Sequence, residues 1–127
     1  MTSPIRTQLQ SMLRTEPRDG GFTATLTVDP SLSILPDHFA EKPILPGLCM
    51  VQAVLLAAST AHHSSSLRLR KLKTAKWLMP VYPGHTVEID GDIQPAEGGQ
   101  LMIRARFTSA GERCAEFSLI VSDGVSS

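Results

Sequence analysis

The chain has 127 residues, 42% of them hydrophobic, with twelve basic and twelve acidic side chains and a formal net charge of zero. That is enough for one domain with a core, and small enough that a buried subunit interface would help it. Balanced charge argues against bulk binding to nucleic acid or a membrane surface, and no uninterrupted apolar run reaches the roughly 20 residues that cross a bilayer.

Residues 1–20 are expected to form an N-terminal extension with a short helix over Ile5 to Leu13, and they lack the apolar core of a signal peptide. Phe22 to Val28 alternates and ends at Asp29-Pro30, which predicts a strand. A proline-rich loop follows, Asp37-His38-Phe39-Ala40-Glu41-Lys42-Pro43-Ile44-Leu45-Pro46, and feeds directly into Gly47. From about Pro46 to His62 a helix is predicted that is apolar nearly all round, the pattern of a helix enclosed by protein. Gln52 is almost the only polar side chain in its first three turns, so it should hydrogen-bond in a buried setting or line a cavity.

After a linker at Ser64-Ser65-Ser66, four more strands are predicted, at Leu67 to Met79, His85 to Ile93, Leu101 to Phe107 and Ala115 to Val121. Turn signals separate them at Tyr82-Pro83-Gly84, Glu97-Gly98-Gly99 and Ser109-Ala110-Gly111. Residues 124–127 read as a flexible tail, which leaves residues 21–123 as the folded domain. One strand, one long helix and four strands make an α+β chain in which a sheet wraps the helix.

Several residues carry chemistry. His38 sits on a loop stiffened by Pro43 and Pro46, and the helix opening at Pro46-Gly47 points unpaired N–H groups back toward it. An imidazole beside a positive helix end suits the handling of a carbonyl and a proton. Gly47 either offers its N–H to that carbonyl or simply permits tight packing. Asp37 and Glu41 flank His38 as the nearest acids by sequence, although a solvated loop carboxylate is the simpler reading of both.

No metal or cofactor is expected, since His62 and His63 point in different directions on a helix and no third ligand follows. Cys49 and Cys114 have neither metal-ligand nor CxxC spacing, in keeping with a reduced, cytoplasmic protein. Arg68, Arg70, Lys71, Lys73 and Lys76 form a basic cluster in a neutral chain. On its own such a cluster reads as the solvated face of a strand.

The stretch from His38 to Gln52 resembles the signature of the 3-hydroxyacyl-acyl-carrier-protein dehydratases, a hotdog-fold family that reads roughly G-H-F-P-x-x-P-(I/V)-M-P-G-(V/L)-x-x-x-E. His38, Phe39, Pro43, Pro46 and Gly47 fall on its positions, with Ile44 and Leu45 close equivalents. Ala75-Lys76-Trp77-Leu78-Met79-Pro80-Val81-Tyr82-Pro83-Gly84-His85-Thr86-Val87 is similar to the family's second motif, A-R-F-x-R-P-V-x-P-G-D-x-(L/V), in the right order.

The resemblance implies a hotdog dimer whose acyl tunnel lies between subunits, and dehydration of a 3-hydroxyacyl thioester to the 2-enoyl thioester in fatty-acid or polyketide and polyene biosynthesis. His38 would be its base or proton shuttle, Gly47 its carbonyl donor, and Phe39, Pro46, Leu48 and Trp77 would line the substrate path. The five basic residues would dock an acidic acyl carrier protein. Where the family has a helix carboxylate this chain has Gln52, which neither donates nor accepts a proton at neutral pH. Gln52 could hold the substrate hydroxyl or a water, or serve packing and dimer register. The implied enzyme therefore works alone as a homodimer, or as one subunit of a heterodimer. A hotdog thioesterase or a non-catalytic acyl-thioester binder is the alternative.

Overall fold

The computed structural model describes residues 9–28, 47–62, 67–79, 81, 82 and 84–123. Six strands form one antiparallel sheet: β1 (Leu13–Arg18), β2 (Gly21–Thr27), β3 (Leu67–Trp77), β4 (Thr86–Pro95), β5 (Leu101–Ser109) and β6 (Glu112–Asp123). Their order across the sheet is β1-β2-β4-β5-β6-β3, so β1 and β3 are the edges. The single long helix α1 (Gly47–Ala61) connects β2 to β3 in the sequence. It packs on β1, β2, β3 and β4, so strands from both edges curl around to reach it.

Alternation explains the core. Phe22, Ala24 and Leu26 of β2 face Gly91, Ile89 and Val87 of β4, and Ile103, Ala105 and Phe107 of β5 face Leu119, Phe117 and Ala115 of β6. All are buried on the face that meets α1. Met50, Ala53, Val54, Ala57 and Ala58 fill the space above them, and small residues let the helix lie close to the sheet. At Gly91 the approach is so close that a Cβ would sit 2.3 Å from the Phe22 ring.

The helix and the four later strands lie where the sequence predicts them, within a few residues. The N-terminal region differs. Residues 9–12 are helical, and the fully buried Leu9 anchors them. Leu13–Arg18, however, is a strand paired along its whole length with β2, so the sheet has six strands rather than five and begins at Leu13 rather than in the region of residue 21. The connection is the tight turn Asp19-Gly20, where Gly20 takes a φ of 76° that a side chain would resist.

Candidate functional site

α1 opens at Gly47, whose N–H belongs to the first helical turn and has no partner within the helix. Between Cys49 and Ser59 every residue is buried except Gln52 and Leu55. Three residues apart, these two share one stripe of the helix, and that stripe is less deeply covered than the rest of α1. A buried, hydrogen-bonded Gln52 is therefore not what is found. It is only partly buried, and among the described residues no hydrogen bond reaches its side chain.

A second uncovered region runs along β3. The helix reaches this strand at its start, where the Leu67 N–H donates to Ser59 Oγ at 3.3 Å. Farther along, the register with β6 places Leu69, Leu72, Ala75 and Trp77 opposite Val121, Leu119, Phe117 and Ala115, all on the core face. Yet Leu69, Leu72 and Trp77 are 40%, 41% and 57% exposed. They point the way a core residue points, yet they stay partly open to solvent.

Trp77 ends an aromatic row. Its ring meets Phe117 edge-on at 5.6 Å, and Phe117 meets Phe107 the same way at 5.6 Å. Cys114 O accepts from both the Leu78 and Met79 N–H groups, at 2.8 and 3.1 Å, which pins the chain leaving Trp77 to β6. Leu78, Met79 and Tyr82 continue the exposed apolar surface. Trp77, expected along the substrate path, thus belongs to an open apolar ledge.

The five basic residues are all exposed on β3. Register shifts at Arg70 and Lys73 mark two bulges. The Arg70 Nε donates to Ser122 Oγ at 2.7 Å, and Arg70, Lys71 and Lys73 line an outer-face groove of about 490 Å³ with Glu97 and Gln100. Among the described residues none of the five makes an ion pair.

Burial pushes the Cys49 and Cys114 thiols up, so both are poor nucleophiles at neutral pH. Among the described residues no group of three His, Cys, Asp or Glu side chains could hold a metal, and no helix is long and apolar enough to cross a membrane. His38, Phe39 and Pro46, with Asp37 and Glu41, lie outside the described residues, as does His63, and the side chain of Leu48 is likewise not described. The structure therefore brings together Gly47 and Gln52 on α1, and separately Trp77 and the basic residues on β3.

Residues 14–118 match the ApeI-like family, described as ApeI dehydratase. The chain belongs to this family. Its fold is the hotdog, shared with several solved structures. The dehydratase heterocomplex ApeI:P from Xenorhabdus doucetiae is 21% identical, with a TM-score of 0.69 over 86% of this chain and 94% of that one. The PaaI protein from the E. coli phenylacetic acid degradation operon is 12% identical, with a TM-score of 0.67 over 93% and 86%. An uncharacterized protein from Pyrococcus horikoshii is 15% identical, with a TM-score of 0.71 over 89% and 83%. No match was found among curated proteins. Membership of the ApeI-like family makes this chain a hotdog dehydratase, and the ApeI-like match begins within β1, the strand missing from the sequence reading. The signal for that strand was Asp19-Gly20, a strong hairpin dipeptide.

Proposed function

We propose that the chain dehydrates a 3-hydroxyacyl thioester to the 2-enoyl thioester, with the acyl group on an acyl carrier protein, in cytoplasmic fatty-acid or polyketide and polyene biosynthesis. The observation that carries this reading is the ApeI-like match across both β1 and the Gln52 helix. His38 removes the proton α to the thioester carbonyl, and the Gly47 N–H at the positive end of α1 steadies the enolate oxygen as charge builds there. Phe39, Pro46, Leu48 and Trp77 hold the acyl chain. The β-hydroxyl must leave as water and needs a proton, which Gln52 cannot supply.

The missing proton returns from His38 itself or comes from a protonated carboxyl group on a second hotdog subunit. We favour the second source. Gln52 and Leu55 form the one partly exposed stripe of α1 between Cys49 and Ser59, which is where a partner helix would pack, and the relative ApeI:P is described as a heterocomplex. Gln52 then orients the hydroxyl or a water. The exposed cations of β3 suit an acidic carrier protein.

The test is interconversion of 3-hydroxyacyl and 2-enoyl thioesters by the purified chain, beside His38→Ala and Gln52→Glu. Activity gained in Gln52→Glu from an inert parent is the expected result. Activity in the parent that vanishes in His38→Ala would place the acid within this chain. Thioester binding without turnover in any of the three would mark a binder instead.

A further inference from the structure

Past Trp77 the second motif ends in a turn that has no part in the substrate path or the carrier surface. The His85 N–H donates to Tyr82 O at 3.2 Å, which closes the turn, and the two rings meet edge-on at 5.9 Å. Between them Gly84 takes a φ of 85°. A Cβ at Gly84 would meet no atom within 4 Å, so glycine is needed there for its conformation and not for room.

The turn grips the end of β2. The Gly84 N–H donates to Val28 O at 2.7 Å, and the Val28 N–H donates to His85 O at 3.0 Å. Val28 is fully buried. Beside it Thr27 Oγ1 meets Thr86 Oγ1 at 3.1 Å, and Ser109 Oγ donates to Thr86 O at 3.1 Å. Backbone hydrogen bonds and a buried side chain thus fix the residue at which the chain leaves the sheet. In the sequence, that residue opens the segment that carries His38 and runs to Gly47, where α1 begins. Pro30, Pro36, Pro43 and Pro46 restrict φ along the segment, so a direction set at its root is passed on farther than in a flexible chain.

We propose that the turn from Tyr82 to His85 is a positioning element for His38, acting through Val28, and that Gly84 is the residue that permits it. The proposal rests on the reading of His38 as the base and gives the second motif its own task. One motif supplies the imidazole, and the other holds the strand end from which the imidazole is placed. Precision there matters, because a reacting group misplaced by about 1 Å loses about a hundredfold in rate.

The chain has four histidines, so NMR of the whole protein follows the His38 ring individually, with the exposed His62 beyond the far end of α1 as reference. A β-branched residue resists positive φ whereas asparagine accepts it. Gly84→Val should therefore move the His38 ring signals toward those of His62, and Gly84→Asn should keep them near the wild-type positions. Gly98 is the matched control: it has a φ of 69°, equally open surroundings and a place beyond the opposite end of β4. Gly98→Val should leave His38 unmoved. His38 signals unchanged in Gly84→Val, or shifted as far by Gly98→Val, would overturn the proposal, and so would wild-type His38 signals already matching those of His62. Should Gly84→Val fail to fold by circular dichroism, Gly84→Ala against Gly98→Ala decides in the same way, and equal effects or none would refute the idea. No turnover is measured, so failure here and failure of the dehydratase reading remain separate results.

Discussion

Two groups of charge sit on the outer face of this sheet and behave in opposite ways. Arg18, Arg106, Asp90 and Asp92 neutralise one another in a closed square that ties β1, β4 and β5 together. Arg18 Nη2 reaches Asp90 at 2.9 Å and Asp92 at 2.7 Å, and Arg106 bridges the same two carboxylates. The five cations of β3 have no such partners among the described residues. The first group serves the fold that contains it, whereas the second is left exposed to solvent.

The sharpest way to test that contrast is to ask what lies beneath each group. Arg18 also donates to Gly91 O at 3.0 Å, and Gly91 lies directly against the Phe22 ring. Gly91→Ala should force that ring aside and cost about 1–3 kcal/mol by denaturant unfolding, the usual penalty for overpacking a core. None of the five β3 cations should approach that figure.

Breaking the square is expected to cost less. Asp90→Asn removes a carboxylate shared by two guanidinium groups, but Asp90 is 47% exposed and water screens it, so about 1 kcal/mol is expected. The pH dependence has a definite sign. Hydrogen bonds from Arg106 hold the Asp90 carboxyl below its usual range, and those from Arg18 do the same for Asp92. Their contribution is complete above the ordinary carboxylate pKa and fades as pH falls through the lowered folded value. Thermal melts of Asp90→Asn with Asp92→Asn should therefore lose less stability on acidification than the parent. A parallel loss in both would show the square to be inert.

The smallest effect belongs to β3. Lys71→Gln with Lys73→Gln should leave the unfolding free energy of the monomer within about 0.5 kcal/mol, as for exposed residues without partners. A larger change would mean that these lysines hold the fold after all, and the contrast between the two groups would collapse.

Much of the architecture was legible because burial leaves simple patterns. α1 is apolar on nearly every side, and β2, β4, β5 and β6 alternate cleanly between turn signals, so both types of element could be placed. β1 was not legible. Its sequence, Leu13-Arg14-Thr15-Glu16-Pro17-Arg18, belongs to an outer edge with little to bury, and pairing with β2 rather than any hydrophobic rhythm makes it a strand. The site was legible in part. Gly47 and Gln52 were singled out through the family resemblance and lie on α1, but the partial exposure of the stripe bearing Gln52 depends on how the chain folds around the helix, which no local pattern records. His38 lies outside the described residues, so its reading still rests on sequence.

The two bulges of β3 have an effect on shape as well as charge. By inserting Arg70 and Lys73 they make the core-facing residues recur as Leu69, Leu72 and Ala75, a count of three, where a straight strand counts in twos. β6 runs alongside without a kink, and each bulge sets two residues of β3 against one of β6, so the core-facing side chains of the two strands stay in phase to the end of the pairing. The strand thus carries two more residues than its neighbour over the same span, a way to crowd side chains onto one edge without breaking the sheet.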